Sequence, residues 1–169
     1  MKNLLIICLI CLPLFTKAQN FETNIEAQQE IRKIEFLVGQ WKGNGWMMNQ
    51  SGQKMTFDQT EKVSLKLNDT ALLIEGQGTS EGKIVHNALA IVTVADSDGN
   101  YKFNSFLQSN QQGTYKAELI DHVFYWYPVE NVRYIITIND QGQWHEIGEA
   151  NSGGTWYQFF EMTLNKEGN

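Results

Sequence analysis

Apolar and polar side chains alternate along most of this chain, and that alternation restricts its fold more than any other feature. In the stretch MTFDQTEKVSLKL, Met55, Phe57 and Val63 fall on one face, with polar residues between them. Successive side chains of a strand point to opposite faces, so this stretch predicts a long, half-buried strand. Similar segments, separated by Gly, Asn and Asp, predict about ten antiparallel strands. After a first strand from Gly39, they cover 55–67, 71–78, 83–95, 101–108, 114–120, 122–128, 132–139, 143–150 and 155–164.

One helix is predicted before the strands. The sequence Thr23-Asn24-Ile25-Glu26 has the pattern of a capping box, in which Thr23 caps the helix and Glu26 reaches back to it. The residues Ala27, Ile31, Ile34 and Val38 follow at helical spacing. We therefore expect a short helix over 23–36.

These elements predict an all-β fold, a ten-stranded antiparallel up-and-down barrel preceded by a short helix. Short connections between neighbouring strands suit such a barrel, and closing it leaves no exposed sheet edge. A barrel of about ten strands has room inside for a small ligand. The helix could then cover one end. We assign this single domain to residues 19–169.

The first 18 residues have the pattern of an export signal. Lys2 is followed by an apolar run over 4–15, shorter than the roughly 20 residues that a membrane-spanning helix needs. Small residues at Thr16 and Ala18 suit a signal peptidase. We predict cleavage after Ala18, a periplasmic or secreted protein and no stable membrane insertion afterwards; an uncleaved anchor is the alternative. Both cysteines lie in the apolar run, so residues 19–169 contain no thiol.

The charge balance argues against two classes of partner. The chain has 13 basic and 19 acidic residues, and loss of Lys2 and Lys17 would leave 11 basic residues and a net charge of −8. A nucleic-acid-binding protein usually carries a basic patch, and an anionic membrane attracts basic surfaces. We therefore predict neither partner, and expect a monomer or weak dimer.

The first strand begins with Gly39-x-Trp41-x-Gly43-x-Gly45, which places three glycines and one tryptophan on one face. With the preceding helix, this motif resembles the start of lipocalin-like barrels of the calycin superfamily, and of nitrobindin-type barrels within it. The resemblance implies that Trp41 closes the base of the barrel. The tail resembles an uncharacterised family of exported bacterial lipocalin-like domains, for which no activity is settled, through Trp144-x-Glu146-x-Gly148, Gly153-Gly154-x-Trp156 and Phe160-Glu161-Met162-x-Leu164.

The resemblance to nitrobindins implies haem as an alternative ligand. Their axial histidine lies on a terminal strand, but residues 155–164 contain no histidine. His145, on the preceding strand, is the nearest candidate, whereas His86 and His122 are displaced. Because haem ligation requires such a residue, we predict no resident cofactor and no metal, with haem kept as the alternative.

Several polar residues share a face with apolar ones and would then lie inside the barrel. Glu61 is one of them, and a buried carboxylate needs a partner, for which Arg133 and His86 are candidates. Arg133 could also hold an acidic ligand, but period two does not decide whether Arg133 or Tyr134 is on the inward face of its strand, and a surface position is the alternative. Glu61 and Glu146 could form a carboxylate pair like that of a glycosidase. No motif of nucleophilic, metal or phosphate chemistry accompanies them, so we predict that the chain is not an enzyme.

The sequence predicts noncovalent binding of a small, mainly apolar molecule inside the barrel. The alternatives are a haem protein and a filled barrel that serves as a scaffold or interaction module without a ligand. The predicted ligand-binding residues are Trp41, Phe103, Trp144 and Trp156 as apolar lining, and Gln59, Glu61, His86, Arg133 and Glu146 as polar contacts.

Overall fold

The computed structural model describes residues 21–95 and 99–168, and its ten strands close into an antiparallel barrel. Each strand pairs with the next along the chain, and the last pairs with the first. The predicted fold class is confirmed. The elements are α1 (Ile25–Arg32), a 3₁₀ turn (Glu35–Leu37), β1 (Gly39–Met48), β2 (Lys54–Lys66), β3 (Ala71–Ser80), β4 (Lys83–Val94), β5 (Asn100–Leu107), β6 (Gln112–Ile120), β7 (Val123–Val129), β8 (Val132–Ile138), β9 (Trp144–Ser152) and β10 (Thr155–Glu167).

The helix is shorter than predicted, and its N-cap lies one residue later than predicted. Asn24 is the N-cap, and its side-chain oxygen accepts a hydrogen bond from the backbone N–H of Ala27 at 3.0 Å. The predicted cap, Thr23, instead accepts a hydrogen bond from the Asn68 side chain at 2.6 Å. Among the described residues, no helix is both long enough and apolar enough to cross a membrane.

Helix α1 and the 3₁₀ turn close one end of the barrel. Ile31, Ile34 and Leu37 are all 0% exposed and belong to the main core. The hydroxyl of Tyr101 donates a hydrogen bond to the carbonyl oxygen of Glu30 at 3.0 Å, which ties α1 to β5. The predicted role of the helix as a cover is therefore what the structure shows, and the opposite end is the mouth.

Trp41 forms the floor above this cover. Its indole N–H donates to the carbonyl oxygen of Leu37 at 2.8 Å, and its ring packs edge-on against Trp144 at 5.8 Å between centroids. The ammonium group of Lys166 lies 5.1 Å from the ring centre. Trp41 is thus a structural residue of the closed end, as the resemblance implies.

The glycines of β1 allow the first and last strands to meet. A Cβ atom at Gly43 would lie 2.1 Å from the carbonyl oxygen of Thr163, and one at Gly45 would lie 2.4 Å from that of Glu161. Both acceptors belong to the backbone of β10, which cannot move without breaking the pairing. These two positions therefore exclude every larger residue along the seam between β1 and β10.

Gly43→Ala is expected to lower the free energy of unfolding by about 1–3 kcal/mol, because the added methyl group overpacks the seam. Asn44→Ala is the matched control, since Asn44 is the next residue and its side chain is exposed. Urea denaturation of the wild type and both variants measures the difference. Equal stability of Gly43→Ala and the wild type would contradict this role for the glycine.

Candidate functional site

A cavity of about 420 Å³ occupies the barrel between the floor and the mouth. It reaches from fully buried Trp144 to exposed Met47, Val85 and His86, so it opens to solvent at the mouth. An open cavity of this size disagrees with the alternative of a filled barrel. Its lining also includes Phe57, Gln59, Glu61, Ile74, Gly76, Ala88, Ala90, Phe103, Tyr115, Trp126, Tyr134, Ile136, Glu146, Phe160 and Met162.

Aromatic rings form a nearly continuous band in the cavity wall. Phe103 stacks on Trp126 with 4.6 Å between ring centroids, and Trp126 stacks on Tyr134 with 4.4 Å between them. Tyr134 meets Phe160 edge-on at 5.5 Å, and Phe160 stacks on Phe57 at 5.8 Å. Each ring comes from a different strand, so only the closed barrel brings them together. Such paired rings give an apolar wall with little conformational freedom.

Glu61 lies in this wall with its charge only partly compensated. The side-chain amide of Gln59 donates a hydrogen bond to Glu61 Oε1 at 2.6 Å, and both residues are buried. Among the described residues, no group hydrogen-bonds to Glu61 Oε2. Burial raises the pKa of Glu61 to about 7, against the opposing effect of the Gln59 hydrogen bond. The prediction that Arg133 or His86 is the partner of Glu61 was wrong. Its hydrogen-bond partner is Gln59, from the same strand.

Two glycines of β3 make room for these side chains. A Cβ atom at Gly76 would lie 2.6 Å from Glu61 Oε1, and one at Gly78 would lie 2.6 Å from Gln59 Oε1. The Gly76-Gln77-Gly78 sequence puts both glycines on the inner face, opposite Glu61 and Gln59 in the strand pairing. This part of β3 therefore provides the space in which the amide and the carboxyl group lie.

Glu146 is the second carboxyl group in the wall. The indole N–H of Trp144 donates to Glu146 Oε2 at 3.1 Å, and the side chain of Trp126 also hydrogen-bonds to it. Burial and the negative charge of Glu61 raise the pKa of Glu146 to about 8, while the two indole hydrogen bonds lower it. The structure thus places both carboxyl groups that the sequence offered as a pair in the wall of the same cavity. Near neutral pH the pair retains protons, so it could donate or accept one, or hold a cation.

Not every predicted site residue contributes to the cavity. Phe103, Trp144, Gln59, Glu61 and Glu146 line it, and His86 lines it at the exposed mouth. Trp41 lies beneath it, behind the ring of Trp144. Whether any of these residues contacts a ligand stays a prediction.

Arg133 and Trp156 are placed on the outer face, which corrects their expected position inside. Tyr134 and Ile136 are the inward residues of β8, so Arg133 points outward. Its guanidinium group binds Glu149 Oε2 at 2.8 Å and lies 4.1 Å from the ring centre of Trp156. An irregularity of β10 between Gln158 and Phe160 breaks the alternation, which separates Trp156 from the cavity face.

His145 is also outside the cavity, which corrects its candidacy as a haem ligand. Its Nε2 atom lies 2.9 Å from Glu161 Oε1, and Glu161 also accepts a hydrogen bond from the Trp46 indole at 3.1 Å. Of the three histidines in the chain, His86 alone lines the cavity, at its mouth. The described residues therefore do not reproduce a terminal-strand haem ligand.

Sequence reasoning missed several residues that shape the cavity. Trp126, Phe57 and Phe160 were not selected, although each shares a face with other inward residues. Tyr134 was left undecided between the two faces of β8. The signal that could have found Gly76 and Gly78 is their position opposite Glu61 and Gln59 of the preceding strand, β2.

Comparison with known structures supports the fold. The chain is similar to the crystal structure of Rv2717c from M. tuberculosis, with a TM-score of 0.63 and 11% identity over 82% of this chain and 97% of that one. It is also similar to the S-type phycobiliprotein lyase CPES from Guillardia theta, with a TM-score of 0.46 and 11% identity over 89% of this chain and 99% of that one. The likeness to Rv2717c supports the barrel fold of this chain. No family model and no curated protein matches the chain.

One expectation is corrected by these neighbours. The sequence led us to predict that the chain is not an enzyme, but CPES is described as a lyase. The prediction that the chain is not an enzyme is therefore not kept. At this low similarity the likeness concerns the fold, and no reaction is transferred to this chain.

The buried carboxyl pair predicts a stability that decreases as the pH rises. The pKa of Glu61 and Glu146 is raised above the ordinary value of 4.5, so the folded state binds their protons more tightly than the unfolded state. Their contribution is complete below about pH 4.5 and is lost as the pH rises through about 7 to 8. Each group changes the free energy of unfolding by an amount on the order of 3 kcal/mol over this pH range.

Urea denaturation between pH 5 and pH 8.5 measures this dependence. Glu146→Gln is expected to flatten the decrease, because it removes the more strongly shifted group. Glu75→Gln, which removes an exposed carboxyl group of β3, is the control and should leave the slope unchanged. The same slope in Glu146→Gln and the wild type would show that Glu146 is not protonated in the folded state.

Proposed function

We propose that this chain binds a small, mainly apolar molecule noncovalently inside the barrel. The observation that carries the proposal is the cavity of about 420 Å³ with its band of aromatic rings, closed by α1 at one end and open at the other. Cavities of this volume with apolar walls and a few polar groups are typical of small-molecule sites. The calycin-like barrel is also a fold of ligand-binding proteins.

The polar groups of the cavity support the same proposal. Gln59, Glu61 and Glu146 are less than a tenth exposed, and burying such groups costs free energy unless something compensates them. Glu61 Oε2 faces a cavity without a hydrogen-bond partner among the described residues. A filled core could have replaced these residues with apolar ones at no loss of packing, so their presence favours a site for a molecule.

We also propose that the protein is exported and acts as a monomer or weak dimer. The support for export is the N-terminal pattern of residues 1–18, which lie outside the described residues. N-terminal sequencing of the protein from its own host is expected to begin at residue 19. A chain that begins with Met1 would contradict cleavage of this segment.

Native mass spectrometry of protein purified from its own host tests the proposed function directly. We expect an adduct that is present under native conditions and lost on denaturation, because the binding is noncovalent. The mass of the adduct separates a lipid-sized molecule from haem. A bare mass in several independent preparations would contradict a tightly bound ligand.

A pair of substitutions on β4 tests whether the ligand lies in the cavity. Ala88→Phe places a ring in the cavity and is expected to weaken binding of the neutral probe N-phenyl-1-naphthylamine by at least about tenfold, or 1.4 kcal/mol. Leu89→Phe adds a ring at the neighbouring position, whose side chain points to the other face, and should leave binding unchanged. Fluorescence titration measures both. If both variants weaken binding equally, or if neither weakens it, the probe binds outside the cavity.

A further inference from the structure

The inner part of the cavity has more hydrogen-bond acceptors than donors. Glu146 receives two indole N–H groups, but Glu61 receives one amide N–H on Oε1 and none on Oε2 among the described residues. Glu61 is 8% exposed, so bulk water does little to satisfy the free oxygen. A ligand that donates hydrogen bonds at this point would complete the site.

Positive charge is also scarce around the carboxyl pair. The cavity lining given above contains no lysine and no arginine, and His86 stands at the exposed mouth. Arg133, which the sequence offered for holding an acidic ligand, is bound to Glu149 on the outer face. An anionic ligand would therefore meet two carboxyl groups without a compensating cation, whereas a cationic one would be attracted by each carboxyl group that is ionised.

A bare metal ion fits this arrangement less well than a nitrogen cation. Among the described residues, no group of three or more His, Cys, Asp or Glu side chains could hold a metal. A protonated amine carries up to three N–H donors, which suits the free oxygen of Glu61 and the remaining acceptor capacity of Glu146. Aromatic faces such as those around the cavity attract such cations as well.

We propose that the ligand is an apolar molecule with a protonated nitrogen, such as a primary amine, that binds between Glu61 and Glu146. The inference rests on the proposed function and names the class of molecule for the same site. The nitrogen hydrogen-bonds to Glu61 Oε2 and to Glu146. The apolar body lies along the aromatic band of Phe103, Trp126 and Tyr134 towards the mouth.

Binding of such a cation is coupled to loss of protons from the carboxyl pair. The pKa of Glu61 and that of Glu146 lie at about 7 and about 8, so at pH 6 the cation must displace protons. The other titratable groups of the lining are the phenols of Tyr115 and Tyr134 and the imidazole of His86 at the mouth. Burial raises the pKa of Tyr134 above its ordinary value, so this phenol stays protonated over the range tested. We therefore expect affinity for the amine to rise between pH 6 and pH 8.5.

Three probes with the same hydrocarbon chain test the class of ligand. Octylamine, octan-1-ol and octanoate are titrated by displacement of N-phenyl-1-naphthylamine at pH 8. We expect octylamine to bind at least about tenfold more tightly than octan-1-ol, and octanoate to bind most weakly. Octan-1-ol or octanoate binding as tightly as octylamine would overturn the inference and leave the proposed function intact. Failure of the fluorescent probe and all three compounds to bind would overturn both.

Two isosteric variants identify the residues responsible. Glu61→Gln and Glu146→Gln are each expected to lower the affinity for octylamine at least about tenfold and to remove most of its advantage over octan-1-ol. Retained binding of the alcohol shows that the cavity is still formed. Glu75→Gln, on the outer face, is the control and should bind both probes like the wild type. Unchanged affinity for octylamine in both cavity variants would overturn the assignment.

Discussion

The pairing of β1 with β10 is the constraint on which the rest of the structure depends. Neighbouring strands of this chain follow one another and can pair locally, but these two are separated by nearly its whole length. They approach so closely at Gly43 and Gly45 that no side chain fits between them. The cavity, the aromatic band and the carboxyl pair all exist only because this seam closes the sheet.

The closed sheet holds polar groups in positions that are unfavourable for stability alone. Glu61 from β2 and Glu146 from β9 both line the largely apolar cavity, and the charge of Glu61 raises the cost of ionising Glu146. Gln59, Trp126 and Trp144 offset part of that cost through hydrogen bonds. A carboxyl pair that is held in place but incompletely satisfied is typical of a site that acts on, or binds, something absent from the protein itself.

Much of this architecture could be predicted from the sequence, because strand alternation and turn residues are local signals. They predicted ten strands, the helix over one end and the inward position of Gln59, Glu61, Trp144 and Glu146. What local signals could not predict depends on irregular or distant pairing. The irregularity in β10 moved Trp156 to the outer face, and period two alone did not decide which face of β8 carries Arg133. The partner of Glu61 was missed because Gln59 reaches it along the strand rather than across the barrel.

The late position of β10 in the chain has a consequence for how this protein acquires its structure. Most strand pairs can form as the chain grows, but the barrel cannot close until the C-terminal segment is available. Contacts between residues so distant in sequence are slow to form, since a long loop must first be closed. Until then β1 and β9 are open sheet edges, which can pair with other chains. The period between synthesis and closure is therefore when this molecule is most exposed to aggregation.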